Sequence, residues 1–276
     1  MDSFLDTAIE IAREAGQILM AHRGVGFELK GDYDLVTAAD RASEQLVIKR
    51  LREHYPDHGI VAEEGGRAEM GAELRWYVDP LDGTTNFAHG YPLWNVTLAL
   101  ARRGEVIAGV VYDPLNRELF AAERGAGARM NGAPIRVSSV ETLNDSLVST
   151  GFPSRKRSQN VNIHFYYQLA MLSHGVRRGG SAAIDLAYTA CGRLEAFWEF
   201  GLNPWDMAAG TLLVEEAGGR VSGMRGDPLD LHGKYVLADN GNIHEETLKL
   251  FADIFEGRFP HQMPGLPMGE DALLHG

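Results

Sequence analysis

The stretch WYVDPLDGTTNF, from Trp76 to Phe87, combines an apolar run, two aspartates and a turn of small hydroxyl residues. The apolar run predicts a short buried strand that ends in the two aspartates. Carboxylate oxygens suit Mg²⁺, which shares its coordination shell with substrate phosphates. Backbone N–H groups of a Gly-Thr-Thr turn that opens a helix would face an anion. The stretch therefore predicts a place where a divalent cation lies beside a phosphate group.

The composition around this stretch is that of an acidic globular protein. The chain has 276 residues, of which 45% are hydrophobic and 23% are charged, enough for one large domain or two smaller ones. A formal net charge of −12 argues against non-specific binding to nucleic acid or to an anionic membrane. We interpret the basic run Arg155–Arg157 as a solvated loop.

Cysteine content and terminal sequence point to a reducing compartment. Cys191 is the one cysteine of the chain, which excludes an internal disulfide framework and a cysteine-based zinc site. Because Cys191 lies in an apolar run, we expect a buried structural thiol. We find no signal peptide and no run of 18 apolar residues, so we expect a cytoplasmic protein.

The pattern of elements favours layered α and β structure. Apolar residues at helical spacing predict a helix from Phe4 to Ala21. Runs at 96–101, 106–112 and 118–122 predict an antiparallel meander, and helices and strands then alternate irregularly. We expect an N-terminal α+β half over residues 1–145, a C-terminal α/β half over 146–259 and an extended tail over 260–276.

Acidic residues stand at the ends of other predicted elements as well. Glu63 and Glu64 follow a short apolar strand, whereas Asp40 and Asp206 stand where helices are predicted to begin. Each has a simpler interpretation: the aspartates as helix caps, the glutamates as a solvated turn, and the 79–83 segment as an Asp-Gly turn without a ligand. Convergence of these side chains is not visible in a sequence, so both interpretations stand at this point.

If the acids do converge, their chemistry is constrained. Several carboxylates in one place repel one another unless cations neutralise them. Oxygen-only ligands favour Mg²⁺ or Mn²⁺ over zinc, and two such ions can stabilise the attacking and leaving oxygens of a phosphoryl transfer. The sequence has no P-loop, no G-x-S-x-G elbow and no dinucleotide fingerprint after a strand.

Over residues 4 to 255 the sequence resembles the inositol monophosphatases. Residues 76–87 are similar to the first motif of that family, and Pro204–Gly210 followed by Glu216–Gly219 is similar to its second. The segments 61–64 and 34–40 fit two further positions. The resemblance implies a mixed α/β, five-layered αβαβα sandwich, usually a homodimer, that hydrolyses small phosphomonoesters with Mg²⁺ and is commonly inhibited by lithium.

The resemblance also assigns roles to residues of this sequence. A first metal ion would be held by Glu63, Asp79 and the Leu81 carbonyl. A second would be held by Asp79, Asp82 and Asp206. A third would be bound with the help of Glu63. Asp40 and Thr84 would orient the attacking water, which a metal ion activates. The remaining contacts would be made to the substrate: Leu81, Asp82, Gly83, Thr84, Thr85, Gly180, Ser181, Ala182, Glu199 and Asp206.

The substrate implied is a small polyol or sugar phosphate, with myo-inositol 1-phosphate as the leading candidate. Histidinol phosphate, fructose 1,6-bisphosphate and 3′-phosphoadenosine 5′-phosphate are alternatives, because relatives acting on them share the site motifs. A function of a different class is regulatory binding to the transcription machinery, as in some bacterial relatives. Compared with animal members, the segment Lys30–Asp34 is one residue shorter, Ser181 replaces a threonine and Ala88–Gly90 replaces bulkier or basic residues.

Overall fold

The computed structural model describes residues 3–24, 26–29, 35–65, 67–68, 71–152 and 160–263. The short segment Lys30–Asp34, the basic run Arg155–Arg157 and most of the tail lie outside these ranges. Within them, no helix combines the length and the apolar character needed to cross a membrane.

The first half of the chain builds a large sheet with two long helices on one face. The sheet order is β10-β9-β8-β7-β6-β5-β3-β4, and β1 and β2 form a separate hairpin. The elements are α1 Phe4–Ala21, β1 Phe27–Leu29, β2 Leu35–Thr37, α2 Ala38–His54, β3 Gly59–Ala62, β4 Arg67–Ala68, β5 Leu74–Asp82, α3 Thr84–Ala88, β6 Asn95–Arg102, β7 Glu105–Asp113, β8 Glu118–Glu123, β9 Gly127–Met130 and β10 Ala133–Pro134.

The second half builds a smaller mixed sheet of order β12-β11-β13-β15-β14. In this sheet β11 pairs in parallel with β12 and β13, and β15 is antiparallel to β13 and β14. The elements are β11 Leu147–Thr150, α4 Asn162–Leu172, β12 Gly175–Arg177, α5 Ala182–Ala190, β13 Ala196–Phe200, α6 Pro204–Glu216, β14 Arg220–Ser222, β15 Tyr235–Asp239 and α7 His244–Phe255.

The elements stack in five layers, which confirms the predicted αβαβα sandwich. Helices α1 and α2 cover one face of the large sheet, and α5 and α6 fill the space between the two sheets. Helices α4 and α7 cover the outer face of the small sheet, where their aromatic side chains surround Trp198. The predicted boundary at 145/146 separates the two sheets, but one core cluster joins residues of both halves. The division of the chain into these two halves stays a prediction.

Helix α1 follows from its sequence as predicted. Ser3 caps it by accepting a hydrogen bond from the backbone N–H of Asp6, whose carboxylate accepts from Ser3 in return. Its apolar stripe faces β6 and β7, and burial of such a stripe is what stabilises a surface helix. The fully buried members of the stripe are Ile11, Ala12, Ala15 and Leu19.

Close packing of α5, α6 and β7 requires two glycines. A Cβ at Gly210 would lie 2.5 Å from Cβ of Leu186 on α5, and a Cβ at Gly109 would lie 3.0 Å from Cα of Ala209 on α6. Each distance is shorter than a normal carbon contact. These glycines let α6 pack directly against α5 on one side and against β7 on the other.

Several local predictions need correction. The caps of α2 and α6 are Thr37 and Asn203, and Asp40 and Asp206 are each the third helical residue. An aspartate in that position closes a capping box with the cap residue, so it forms part of the helix start without being the cap. Cys191 is half-buried at the end of α5, where we expected a fully buried thiol. Strands β12 and β14 were not predicted, because each has three residues and lacks a period-two pattern.

We predict that Gly210→Val lowers the free energy of unfolding by about 1–3 kcal/mol, because the new side chain overlaps Leu186. Urea denaturation followed by circular dichroism measures the change. Gly71→Val is the matched control, since a Cβ there meets no atom within 4 Å. Equal stability of the two variants would contradict the close approach of α5 and α6.

Candidate active site

The C-terminal end of β5 carries the first acids of the site. The pairing of β5 with β6 is interrupted between Asp79 and Asp82, which turns both carboxylates away from the regular ladder. The Leu81 amide donates to Oδ1 of Asp79 over 3.0 Å, and the Pro80 carbonyl accepts from the hydroxyl of Ser43 on α2 over 2.9 Å. The irregular end of β5 is thus held by one hydrogen bond within the segment and by another from α2.

Asp82 joins three elements through one oxygen atom. Its Oδ2 accepts hydrogen bonds from Asn95 Nδ2 at 3.0 Å, from Ser181 Oγ at 2.6 Å and from the Ala183 amide at 2.9 Å. Asn95 begins β6, and Ser181 is the cap of α5. These three bonds orient Asp82 and do not use its other oxygen, Oδ1.

Asp206 and Glu63 arrive from elements distant in sequence. The amide of Asn203 donates to Oδ2 of Asp206 over 2.6 Å, which orients the carboxylate at the start of α6. Glu63 directly follows β3, whose last residue Ala62 pairs in parallel with Val78. Glu63 therefore leaves its strand beside Asp79, and its amide donates to the Val78 carbonyl over 3.3 Å.

The pKa shifts of these acids indicate that they lie close to one another. Burial raises the pKa of Asp79 well above its usual value, and the charges of Glu63, Asp82 and Asp206 raise it further. Burial also raises the pKa of Asp206 well above its usual value, with Asp82 and Glu63 adding to the effect. Burial raises the pKa of Asp82, while the hydrogen bonds from Ser181 and Asn95 oppose the rise. The structure therefore collects mutually repelling carboxylates in one place.

This set of donors fits a hard divalent cation. Within the described ranges, no three or more histidine, cysteine or acidic side chains are arranged so that they alone could hold a metal ion. Mg²⁺ does not need such an arrangement, because it is bound by one or two carboxylates together with water and substrate phosphate. A bound cation would reverse the repulsion that raises the pKa of Asp79 and Asp206.

Asp40 and Thr84, which we predicted to act together, are in direct contact. The Thr84 hydroxyl lies 3.0 Å from Oδ1 of Asp40 and 3.0 Å from the Leu81 carbonyl, so its single proton serves one of these acceptors at a time. The amide and hydroxyl of Thr37 both donate to Oδ2 of Asp40, at 2.7 and 2.6 Å. The capping box of α2 thus fixes one oxygen of Asp40 and leaves the other for Thr84.

The turn after β5 is shaped by glycine. Gly83 has φ = 90°, and a Cβ there would lie 2.9 Å from the Leu93 carbonyl oxygen, so no other residue fits without strain. Thr84 and Thr85 follow as the first residues of the five-residue helix α3. Amide groups in the first turn of a helix have no partner within the helix, so they are available to other acceptors.

The loop before α5 lies against this turn. The side chain of Asn86 donates to the carbonyls of Leu93 at 2.7 Å and Gly179 at 2.9 Å, which ties α3 to the 179–181 segment. Gly180 has φ = 88°, and Ser181 donates its proton to Asp82. The structure therefore shows a positioning contact for Ser181, and its predicted contact with substrate, like that of the buried Ala182, stays a prediction.

Glu199 on β13 is buried on the far side of the site. A Cβ at Gly151 would lie 2.0 Å from its Oε2, so a glycine is required at 151 for the carboxylate to hold its position. Burial raises the pKa of Glu199 well above its usual value, and the charges of Asp185 and Asp206 raise it further, whereas Arg178 lowers it. Glu199 thus faces the same acidic region as Asp206.

Three further residues of the site were not predicted from the sequence. Asn95 orients Asp82 and Ser181, and Ser43 holds the Pro80 carbonyl. Asp185 is buried on α5, where burial and the charge of Asp82 raise its pKa well above the usual value. An acidic residue within the apolar run of α5 was the one available signal, whereas a single serine or asparagine gives none.

The whole chain is similar in sequence and in structure to known proteins. The inositol monophosphatase family model matches residues 1–256. An inositol-1-monophosphatase from Synechocystis is 45% identical over 262 residues, covering 91% of this chain and 90% of its own. A Pseudomonas aeruginosa protein named Nus factor SuhB is 41% identical over 276 residues, covering 96% and 99%. The solved structure of an inositol monophosphatase from Anabaena has a TM-score of 0.83 and 44% identity, covering 89% and 94%.

We predict that saturating Mg²⁺ raises the melting temperature by several degrees, because an ion that binds only the folded state stabilises it. In Asp79→Asn the rise is lost, since one of the carboxylates predicted to hold the ion is removed. Differential scanning calorimetry with and without Mg²⁺ measures both values. Asp145→Asn, an exposed site in the 142–145 turn, is the control and keeps the full rise. An equal rise in all three proteins would contradict cation binding at Asp79.

Proposed function

The chain belongs to the inositol monophosphatase family, and on this premise we propose that it is a Mg²⁺-dependent phosphomonoesterase of small polyol or sugar phosphates. The leading substrate is myo-inositol 1-phosphate, which would be hydrolysed to inositol and phosphate. The observation that carries the proposal is that the half-buried Glu63, Asp82 and Asp206 gather around the buried Asp79, next to the turn of Gly83, Thr84 and Thr85.

The acids would hold two or three Mg²⁺ ions, or Mn²⁺ in their place. The proposed ligands of one ion are Glu63, Asp79 and the Leu81 carbonyl. Those of a second ion are Asp79, Asp82 and Asp206, and Glu63 contributes to the binding of a third. When bound, such ions compensate the charge of the phosphoryl group and lower the pKa of water.

Asp40 and Thr84 would position the attacking water. The Thr84 hydroxyl donates its proton to Oδ1 of Asp40, which leaves the Thr84 oxygen free to accept a proton from water. Asp40 then takes up the proton that Thr84 passes on. Because Thr37 fixes the other Asp40 oxygen, the pair is oriented before the substrate arrives.

The phosphate and the alcohol would bind on opposite sides of the acids. Amide groups at Gly83, Thr84 and Thr85 are proposed to donate to the phosphate oxygens, for which positioning contributes most of the catalysis. Gly180, Ser181, Ala182 and Glu199 are proposed to contact the alcohol portion. Glu199 suits a hydroxyl, because a carboxylate accepts hydrogen bonds from alcohol O–H groups.

A second function is favoured by one observation, the similarity to a protein named Nus factor SuhB. We propose binding to RNA polymerase or an antitermination complex as a function that does not depend on catalysis. A pull-down with purified RNA polymerase tests it. Retained binding by Asp82→Asn supports the function, and absence of any stable complex contradicts it.

The substrate prediction is tested by a panel. We expect Mg²⁺-dependent phosphate release with the highest kcat/KM on inositol 1-phosphate, compared with histidinol phosphate, fructose 1,6-bisphosphate and 3′-phosphoadenosine 5′-phosphate. A preference for another phosphate in the panel would correct the substrate. Turnover that is independent of metal, or no turnover on any monoester, would refute the proposed activity.

The role of Asp82 is tested by Asp82→Asn. We expect kcat to fall by about 10³-fold or more, because the substitution removes a proposed ligand charge and leaves the folded contacts largely in place. Phosphate release under saturating Mg²⁺ measures the loss. Asp145→Asn is again the control and keeps wild-type activity, whereas wild-type activity in Asp82→Asn would contradict the assignment.

A further inference from the structure

A cavity lies on the helix-covered face of the large sheet. It measures about 420 Å³ and opens between α1 and the ends of β7 and β8. Its lining includes the side chains of Arg13 and Gln17 from α1, and of Tyr112 and Arg117 from the β7–β8 segment. We call this cavity the α1 groove. It contains none of the acids of the candidate active site.

The two arginines of the α1 groove lack anionic partners. Within the described residues, the guanidinium groups of Arg13 and Arg117 make no ion pair and no hydrogen bond, and both side chains are exposed. Several other arginines of this acidic chain are ion-paired, as Arg50 is with two glutamates of α1 and Arg193 is with Glu118. Two unpaired cations beside one cavity form a local positive field in a protein of net charge −12.

Neutral donors of the α1 groove are also unused. The Tyr112 hydroxyl and the Gln17 amide make no hydrogen bond to a described residue. An apolar wall of Met20, Leu119 and Pro114 completes the lining. The groove therefore combines cationic and neutral hydrogen-bond donors with a hydrophobic surface, which suits an amphipathic anion.

The walls of the α1 groove are fixed by the fold. A Cβ at Gly16 would lie 2.6 Å from Cε1 of Tyr112, so the glycine lets the ring lie directly on α1. The side chain of Asn131 accepts from the Leu119 amide at 3.0 Å and donates to the Arg117 carbonyl at 3.1 Å. These contacts hold the backbone of the β8 wall in place.

We propose that the α1 groove binds a small organic phosphate monoester, with its dianionic group on Arg13 and Arg117 and its organic part on the Met20 and Leu119 wall. Arginine pairs bind phosphate through short, charge-assisted hydrogen bonds, and two guanidinium groups match the two charges of a monoester. The proposal does not depend on the phosphatase activity, because the two sites share no residue.

The α1 groove lies near the active-site end of the sheet. Tyr112 pairs with Val96 on β6, and the residue before Val96 is Asn95, which donates to Asp82. The side chain of Tyr112 packs with the α1 side of the sheet, whereas Asp206 reaches the site from α6 on the opposite face. A ligand in the groove would therefore lie on the other side of the sheet from α6 and Asp206.

Binding is tested with phenylphosphonate, an aromatic dianion whose C–P bond the proposed activity does not hydrolyse. We titrate it into the full chain in EDTA by calorimetry, because carboxylates without metal repel an anion at the active site. We expect saturable binding that weakens by about tenfold or more in the double variant Arg13→Gln/Arg117→Gln. Arg129→Gln, a nearby exposed arginine outside the lining, keeps the wild-type affinity.

Two further measurements separate loss of binding from loss of folding and locate the bound ligand. Equal melting temperatures of the double variant and the wild type show that the fold is retained. Amide chemical shifts on titration are expected to change around Arg13, Gln17 and Arg117. Absence of saturable binding, equal affinity in the double variant, or shifts confined to residues around Thr84 would overturn the proposal.

Discussion

Mutual repulsion among buried carboxylates is the constraint on which the rest of the structure depends. Asp79 is buried, Asp82 and Asp206 are half-buried beside it, and burial is the largest cause of their raised pKa values. No element could hold such groups alone, because each charge destabilises the folded state until a cation or a proton neutralises it. The surrounding contacts therefore serve to keep the acids in place against this repulsion.

Those contacts come from the large sheet and from the helices between the two sheets. Asp82 receives hydrogen bonds from β6 and α5, Asp206 is held by the first turn of α6, and Asp79 by the turn that follows it. The glycines at 109 and 210 let α5 and α6 pack tightly between the two sheets. The five-layered fold thus delivers the starts of two helices and the ends of two strands to one point.

Much of this could be predicted from the sequence, and the limits have physical reasons. Periodicity predicts α1, because a long amphipathic pattern leaves one choice of buried face, and apolar runs bounded by turns predict the β6–β8 meander. Motif resemblance predicts the acids and the Asp40–Thr84 pair. Asn95 and Ser43 could not be predicted, since their roles depend on contacts between elements distant in the chain. Asp40 and Asp206 were misplaced as helix starts, because Asp is favoured both at the cap and three residues later.

The central claim is that the buried acids exist to bind two neighbouring divalent cations. Anomalous diffraction from a crystal grown with Mn²⁺ tests it directly, because Mn²⁺ takes the same oxygen ligands and is visible in the anomalous signal. The account predicts two peaks about 3.5–4 Å apart, with Asp79 between them and Asp82 and Asp206 on one of the ions. Absence of any anomalous peak within coordination distance of Asp79 would contradict it.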